Sequence, residues 1–267
     1  MEIDILKEAK NVFDIEIAEL EKLKSKLGDD FQKLVRMILE LKNNNKVVVT
    51  GIGKSGIIGK KITATLASTG TTSVFINAAE ALHGDLGMIS DGDVVIAISN
   101  SGNSDEVLSI LAPIKKIGGK IVAFTGNPDS MLGKYAELTI NVGVEKEACP
   151  LGQAPMSSTT ATLVMGDALA VCLMKLKNFT ENDFAKYHPG GALGKRLYLK
   201  VSDIVVHNQK PEVSPDTDIK KVIVEISAKM LGVAAVIDQG NIVGVVTDGD
   251  IRRMLSKTDT IKGLTAK

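Results

Sequence analysis

A chain of 267 residues, 44% of them hydrophobic, is long enough for one sizeable core plus a smaller module and too apolar to stay disordered. Thirty-two basic residues balance thirty-two acidic ones, the isoelectric point is about 6.8, and aromatics are 3% with no Trp. That balance excludes the basic patch and the stacking platforms that a nucleic-acid partner needs. Cys149 and Cys172 are the two cysteines; their spacing makes neither a metal motif nor a disulfide framework, which fits a reducing cytoplasm. The N-terminus opens acidic with no apolar segment behind it, so no signal peptide is expected, and no apolar run reads as long enough to span a membrane.

The first 45 residues show helical periodicity. Ile5, Val12, Ile15 and Leu20 form one apolar stripe, Phe31, Leu34, Ile38 and Leu41 another, and Gly28-Asp29-Asp30 separates them. Two helices are predicted, covering a sheet edge or pairing with another subunit. From residue 46 to 200 strands alternate with helices, the mark of a parallel sheet covered on both faces. Strands are predicted at Lys46–Thr50, Ser73–Ile76, Val94–Ser99, Lys120–Thr125 and Leu138–Val142. The helices fall near Ser55–Ser68, Asp105–Ile117, Ser130–Tyr135 and Thr159–Leu176. The fold class is therefore α/β: a doubly wound, five-stranded parallel sheet preceded by helices. Lys195–Lys200 is basic and reads as a connector. Residues 201–267 form a small α/β module with a helix at Ile219–Ala228, strands at Ala234–Ile237 and Ile242–Val246, a hairpin turn at Asp238–Asn241 and a helix at Asp248–Leu255. A module this small is expected to pack on a copy of itself.

Two strand-to-helix junctions carry the chemistry. Val47-Val48-Val49-Thr50-Gly51-Ile52-Gly53-Lys54-Ser55-Gly56 fits G-x-G-x-x-G, but the acidic residue that would hold a ribose is replaced by Asn77, which disfavours a nicotinamide cofactor. A Walker loop fails too, because its first glycine would fall at Val48. What survives is a tight turn that offers N–H groups, Lys54 and Ser55 to an anion, or simply a structural turn with a solvated lysine. The second junction, Ser99-Asn100-Ser101-Gly102-Asn103-Ser104, offers three hydroxyls and free amides, enough to hold a phosphate without arginine. Ser and Asn also cap helices with no ligand present. Glu106, Glu147, His188 and His83 are the candidates for proton chemistry. Each has an ordinary alternative: a first-turn dipole partner for Glu106, a solvated loop carboxylate for Glu147, an idle imidazole for the histidines.

Taken together, Gly51–Gly56, Glu80–Met88, Ser99–Ser104, Lys146–Gly152, Ser157–Ala170 and His188–Gly194 resemble a sugar isomerase (SIS) domain, and more narrowly the arabinose 5-phosphate isomerases. Thr247-Asp248-Gly249-Asp250-Ile251-Arg252-Arg253 resembles the end of a CBS motif, usually one of a tandem pair; this sequence holds one. The resemblance implies an aldose–ketose isomerase that interconverts D-arabinose 5-phosphate and D-ribulose 5-phosphate and supplies the acid sugar Kdo of lipopolysaccharide or capsule. It places the essential residues at Lys54, Glu106, Glu147 and His188. Substrate contacts fall at Gly70, Thr71 and His83, beside Ser55, Ser99, Ser101, Gly102 and Ser104 of the phosphate turns. A cytoplasmic homotetramer is expected, with no nucleic acid or membrane partner, and the CBS module is the place for a nucleotide or nucleotide-sugar regulator. With half a CBS pair, adenosine-type binding needs two chains to dimerise, with Thr247 and Asp250 as the contacts. Asn77 stands where some members bind zinc through histidine, so no metal and no other cofactor is expected. Competing readings are a SIS isomerase of another sugar phosphate, a non-catalytic sugar-phosphate sensor, and a nucleotide-binding regulator acting through the CBS part.

On this reading Glu147 is the base that moves a proton between C1 and C2, with Glu106 the alternative. His188 shuttles protons on the sugar oxygens, Lys54 stabilises the enediolate, and His188 reaches a neighbouring subunit's site.

Overall fold

The computed structural model describes residues 3–42, 44–198, 200–205, 209–258 and 260–267. The chain divides into two compact units, Met1–Leu193 and Gly194–Lys267.

The first unit opens with helix α1 (Ile5–Ser25), started by the Asp4 carboxylate accepting the Lys7 N–H, and α2 (Asp29–Leu39). α2 buries Leu34, Val35 and Ile38, as its spacing predicts. α1 departs from expectation. Ile5 and Val12 are exposed along with Phe13 and Ile17, Ile15 and Leu20 are half-buried, and the positions it buries are Glu19 and Leu23.

Next come β1 (Val47–Gly51), α3 (Gly53–Ser68), β2 (Ser73–Asn77), the short α4 (Ala78–Ala81), β3 (Val94–Ile98), α5 (Asp105–Ile117), β4 (Lys120–Thr125), α6 (Met131–Tyr135), β5 (Leu138–Asn141), α7 (Ser157–Leu176) and α8 (Glu181–Tyr187). The five strands are parallel in the order β2-β1-β3-β4-β5, the flavodoxin-like arrangement, with Val47 opposite Ser73 on one side and Val94 on the other. The strand order reverses between β1 and β3, so a crevice opens at their carboxyl ends. Alternate residues of each strand face opposite ways. Val47, Val49, Ile96 and Phe124 enter one core with residues of α2, α3 and α7, whereas Val48, Val95, Ala97 and Ala123 enter a second with α5 and α6.

Close packing at the crevice explains the glycine pattern. A Cβ on Gly51 would stand 3.0 Å from the Ile98 carbonyl oxygen, and one on Gly56 would stand 3.0 Å from the Gly51 oxygen. The first helix can then lie directly against the end of its own strand. α7 crosses α3 at Gly166, where a Cβ would meet the Ile62 side chain at 2.4 Å. The expectation that no apolar run suffices to span a membrane does not hold for α7, which is long and apolar enough by length and composition. Its Ala161, Met165, Leu169, Ala170 and Leu173 are buried in the core, which accounts for its apolar character.

At the amino edge, Asp93 is fully buried before β3. Its carboxylate accepts from Lys46 Nζ (2.8 Å), from the N–H groups of Lys46 and Ser90, and from Asn45 Nδ2 (3.2 Å). This ties the starts of β1 and β3 together.

The second unit begins with α9 (Ala192–Tyr198), which straddles the division, and α10 (Val201–Val205), so the basic stretch read as a connector is largely helical. It continues through β6 (Glu212–Val213), α11 (Ile219–Lys229), β7 (Val233–Asp238), β8 (Asn241–Thr247) and α12 (Asp248–Leu255). β6 pairs parallel with β7, and β7 antiparallel with β8 across a turn in which Gln239 and Gly240 both have positive φ, as a tight hairpin requires. Val213, Ile219, Val222, Ile226, Ala234, Val236 and Ile251 form its small core. Thr247 and Asp250 form a capping box on α12, and the Thr247 hydroxyl and N–H, with Arg253, hold the Asp250 carboxyl down to about 2.

Burial alone would raise the Asp93 pKa, but the hydrogen bonds from Lys46, Ser90 and Asn45 outweigh it and hold the carboxyl below its usual range. A depressed folded-state value gives stability that is complete above the unfolded value near 3.8 and is lost as pH falls through the folded one. Asp93→Asn should therefore lower unfolding stability at pH 7 by about 3 kcal/mol, and should lose less than the parent as the pH is taken below 3.8, read by denaturant titration.

Candidate active site

Three of the junctions at the carboxyl edge of the sheet carry most of the expected residues. At the first, α3 starts at Gly53, whose φ is +54°, after the extended Ile52, and no side chain caps its first turn. Lys54 is exposed and Ser55 half-buried in that turn. At the second, the loop after β3 folds tightly. Ser99 is buried (3% exposed); its hydroxyl accepts the Gly102 N–H and lies 2.9 Å from the Ser104 hydroxyl. Gly102 has φ +66°, and a Cβ there would fall 1.9 Å from Ser130 Oγ, so the loop requires glycine. The Gly102 carbonyl accepts from the Leu132 N–H and Asn103 Oδ1 from the Met131 N–H, bracing the loop on α6. Ser104 is the N-cap of α5, yet its hydroxyl turns to Ser99 and leaves the first N–H groups of the helix without a side-chain partner. Ser101 and Glu106 are exposed beside them.

The third junction leads from β5 to α7. Glu147 is half-buried, and its Oε2 accepts the N–H groups of Met156 (2.7 Å) and Ser158 (3.3 Å), while Ser157 Oγ accepts the Ala148 N–H. Glu147 is therefore neither idle nor freely solvated: it caps the core helix and is fixed by it, and among the described residues no hydrogen bond reaches Oε1. The Ser158 hydroxyl beside it is buried with no partner among the described residues. Hydrogen bonds from the N–H groups of Ala154, Gln153 and Leu151 pull the Cys149 thiol pKa down. His83 is exposed just after α4, and so also follows the carboxyl end of a strand, β2. Asn77 caps α4, its Oδ1 accepting the Ala79 N–H. Among the described residues no group of three or more His, Cys, Asp or Glu is placed to hold a metal, and the amide at Asn77 is already spent on the helix.

The other expected residues lie elsewhere. Gly70 and Thr71 follow the far end of α3, at the amino edge of the sheet. A 16-residue helix places them roughly 24 Å from Lys54, so they do not join the crevice of their own chain. Thr71 is buried (2% exposed) and Gly70 abuts the Phe179 ring. α7 runs back to the same edge, and His188 follows α8 there. Its ring stacks on Phe184 at 3.7 Å, and Nδ1 lies 2.8 Å from the Phe184 carbonyl oxygen. A carbonyl only accepts, so Nδ1 donates in this hydrogen bond, which leaves Nε2 as the ring nitrogen not used by it. Phe179 and Tyr187 stack 6.3 Å apart and link Gly70 to the base of His188.

Family comparisons bear on this arrangement. The SIS domain model matches residues 40–172 and the CBS domain model residues 201–257. Arabinose 5-phosphate isomerase KdsD of Francisella tularensis is 50% identical over 259 residues, 95% of this chain and 79% of that protein. The chain belongs to the arabinose 5-phosphate isomerase family. The KdsD of Pseudomonas aeruginosa is 46% identical over 265 residues, 98% of this chain and 81% of that protein. An E. coli protein solved in complex with arabinose 5-phosphate is 42% identical, over 70% of this chain and 98% of that one, with a TM-score of 0.67. As a member of this family the chain is a sugar-phosphate isomerase on a SIS fold.

Sequence reasoning missed the supports of the third junction. Glu19 of α1, 4% exposed, accepts the Glu145 N–H at 2.7 Å and pairs with Lys22 (2.9 Å), which also pairs with Glu145 (2.6 Å). Burial works to raise the Glu19 pKa, and the bonds from Lys22 and Glu145 overcome it and bring it down. Thr160 of α7 donates to Glu16. α1 thus clamps the loop that carries Glu147; a glutamate on an apolar stripe was the only trace of this in the sequence. Glu19→Ala should release that loop: amide exchange at Glu145 should speed up at least about tenfold, for a stability loss of about 1–3 kcal/mol. Unchanged exchange at Glu145 would show that the clamp is not needed.

Proposed function

We propose that the chain interconverts D-arabinose 5-phosphate and D-ribulose 5-phosphate through a cis-enediol, as a cytoplasmic homotetramer whose product feeds Kdo synthesis. The observation that carries this reading is the convergence, at one sheet edge, of an uncapped hydroxyl-rich loop, Lys54 and a carboxylate held by a helix N-terminus. Likeness to named arabinose 5-phosphate isomerases supplies the substrate.

The phosphoryl group binds the N–H groups of α3 and α5 with the hydroxyls of Ser55, Ser99, Ser101 and Ser104. That remote grip orients C1 and C2. Glu147 Oε1 removes the proton from C2 of the aldose while O1 is protonated, giving the enediol. Glu147 then returns the proton to C1 as O2 loses its own, and the C2 carbonyl forms. Lys54 stabilises charge on the enediolate oxygen. His188 gives O1 the proton it carries on Nε2 and then takes up the one that O2 loses, so the ring ends as it began. Because His188, Gly70 and Thr71 lie at the amino edge, they serve the site of a neighbouring copy. The exposed Ile5, Phe13 and Ile17 of α1 are consistent with such association. Glu106 remains the alternative base. The CBS unit is the place for a nucleotide or nucleotide-sugar regulator; Thr247 and Asp250 are committed to the cap of α12, so it would bind through a second module.

Incubation with D-ribulose 5-phosphate should yield the aldose by NMR; absence of turnover contradicts the proposal. Glu147→Gln should reduce kcat at least about a thousandfold with KM changed less than about threefold, since the base acts on the reacting carbon alone. Near-normal kcat would move the role to Glu106.

A further inference from the structure

We propose that Lys177 is an anion-binding residue of the composite site, supplying from the amino edge of one copy a positive charge to the phosphoryl group held by the serine loop of another. The inference rests on the shared-site reading above.

Lys177 directly follows α7. Its Nζ donates to Thr71 Oγ1 at 2.7 Å and to the Gly70 carbonyl oxygen at 3.2 Å. The residue is exposed overall, but its ammonium end is turned onto buried Thr71. Both partners are neutral oxygens, and none of the described carboxylates lies within ion-pair distance. An ammonium has three donors, so one is left over. Desolvation lowers the Lys177 pKa, with no neighbouring acid to offset it. A cation that is partly stripped of water and not neutralised is costly to hold, and an anion arriving from outside repays that cost. The same edge carries His188. Among the hydroxyls and amides of the serine loop there is no cation, so a phosphoryl dianion bound there gains from one offered by a neighbour.

A structural role is the competing explanation, because the same lysine braces the turn between α3 and β2 through the Gly70 carbonyl and the Thr71 hydroxyl. The two are separable. In the full chain, Lys177→Met should raise KM for D-ribulose 5-phosphate at least about tenfold and weaken competitive inhibition by inorganic phosphate equally, with kcat within about threefold. Lys177→Arg should restore both. Wild-type KM and phosphate inhibition in Lys177→Met would overturn the assignment. So would a variant in which kcat and melting temperature fall while KM holds, or an arginine variant that does not recover. If the parent chain shows no isomerase activity, the functional proposal has failed instead. Calorimetry with inorganic phosphate on parent and Lys177→Met then decides the anion site: loss of binding upholds it and equal binding overturns it.

Discussion

A parallel sheet has polarity, and everything about this site follows from it. Every strand runs the same way, so every strand-to-helix turn lies at one edge and every helix-to-strand turn at the other. Lys54, the serine loop and Glu147 belong to the first kind of junction. Gly70, Thr71, Lys177 and His188 lie at the opposite edge. The length of α3 and α7 keeps the two sets apart, and no local adjustment of a loop can close a gap of that size. A site that uses both sets is built between copies of the chain.

Within the carboxyl edge, precision comes from backbone crowding and from borrowed caps rather than from a dense charge network. Gly51 and Gly56 let α3 press against the ends of β1 and β3, and Gly102 lets the serine loop fold under Ser130. Ser104 gives its hydroxyl to Ser99, so the helix that follows keeps free N–H groups. Glu147 does the reverse: it caps α7 itself and gains a fixed orientation in return. α1 adds a buried carboxylate, Glu19, that holds the same loop from outside. The polar groups at this edge are thus held by secondary structure, which is what preorganisation requires.

Much of this was legible in the residues. Apolar runs between turns located the strands, period-3.6 stripes located the first helices, and the glycine junctions pointed to the crevice. The hairpin at Asp238–Asn241 was readable because its turn demands positive φ. The rest depended on contacts between distant segments, which a linear pattern does not carry. The apolar stripe of α1 predicted burial that one chain does not provide. Glu147 looked like a loop residue because its partners, Met156 and Ser158, belong to a helix end nine or more positions away. Lys177 carried no signal at all, since nothing in the sequence tells which ammonium lies against Thr71. The helices α8 and α9 were missed because each is only seven residues long, too short for periodicity to show.

The central claim is that the two edges come from different chains, and subunit mixing tests it most directly. Glu147→Gln and His188→Ala chains are each purified, confirmed inactive, then dissociated together and reassociated. A composite site predicts recovery to about a quarter of parental activity at equal proportions, since random pairing gives that share of sites both intact groups. Mixed oligomers that stay as inactive as either parent variant would contradict the account.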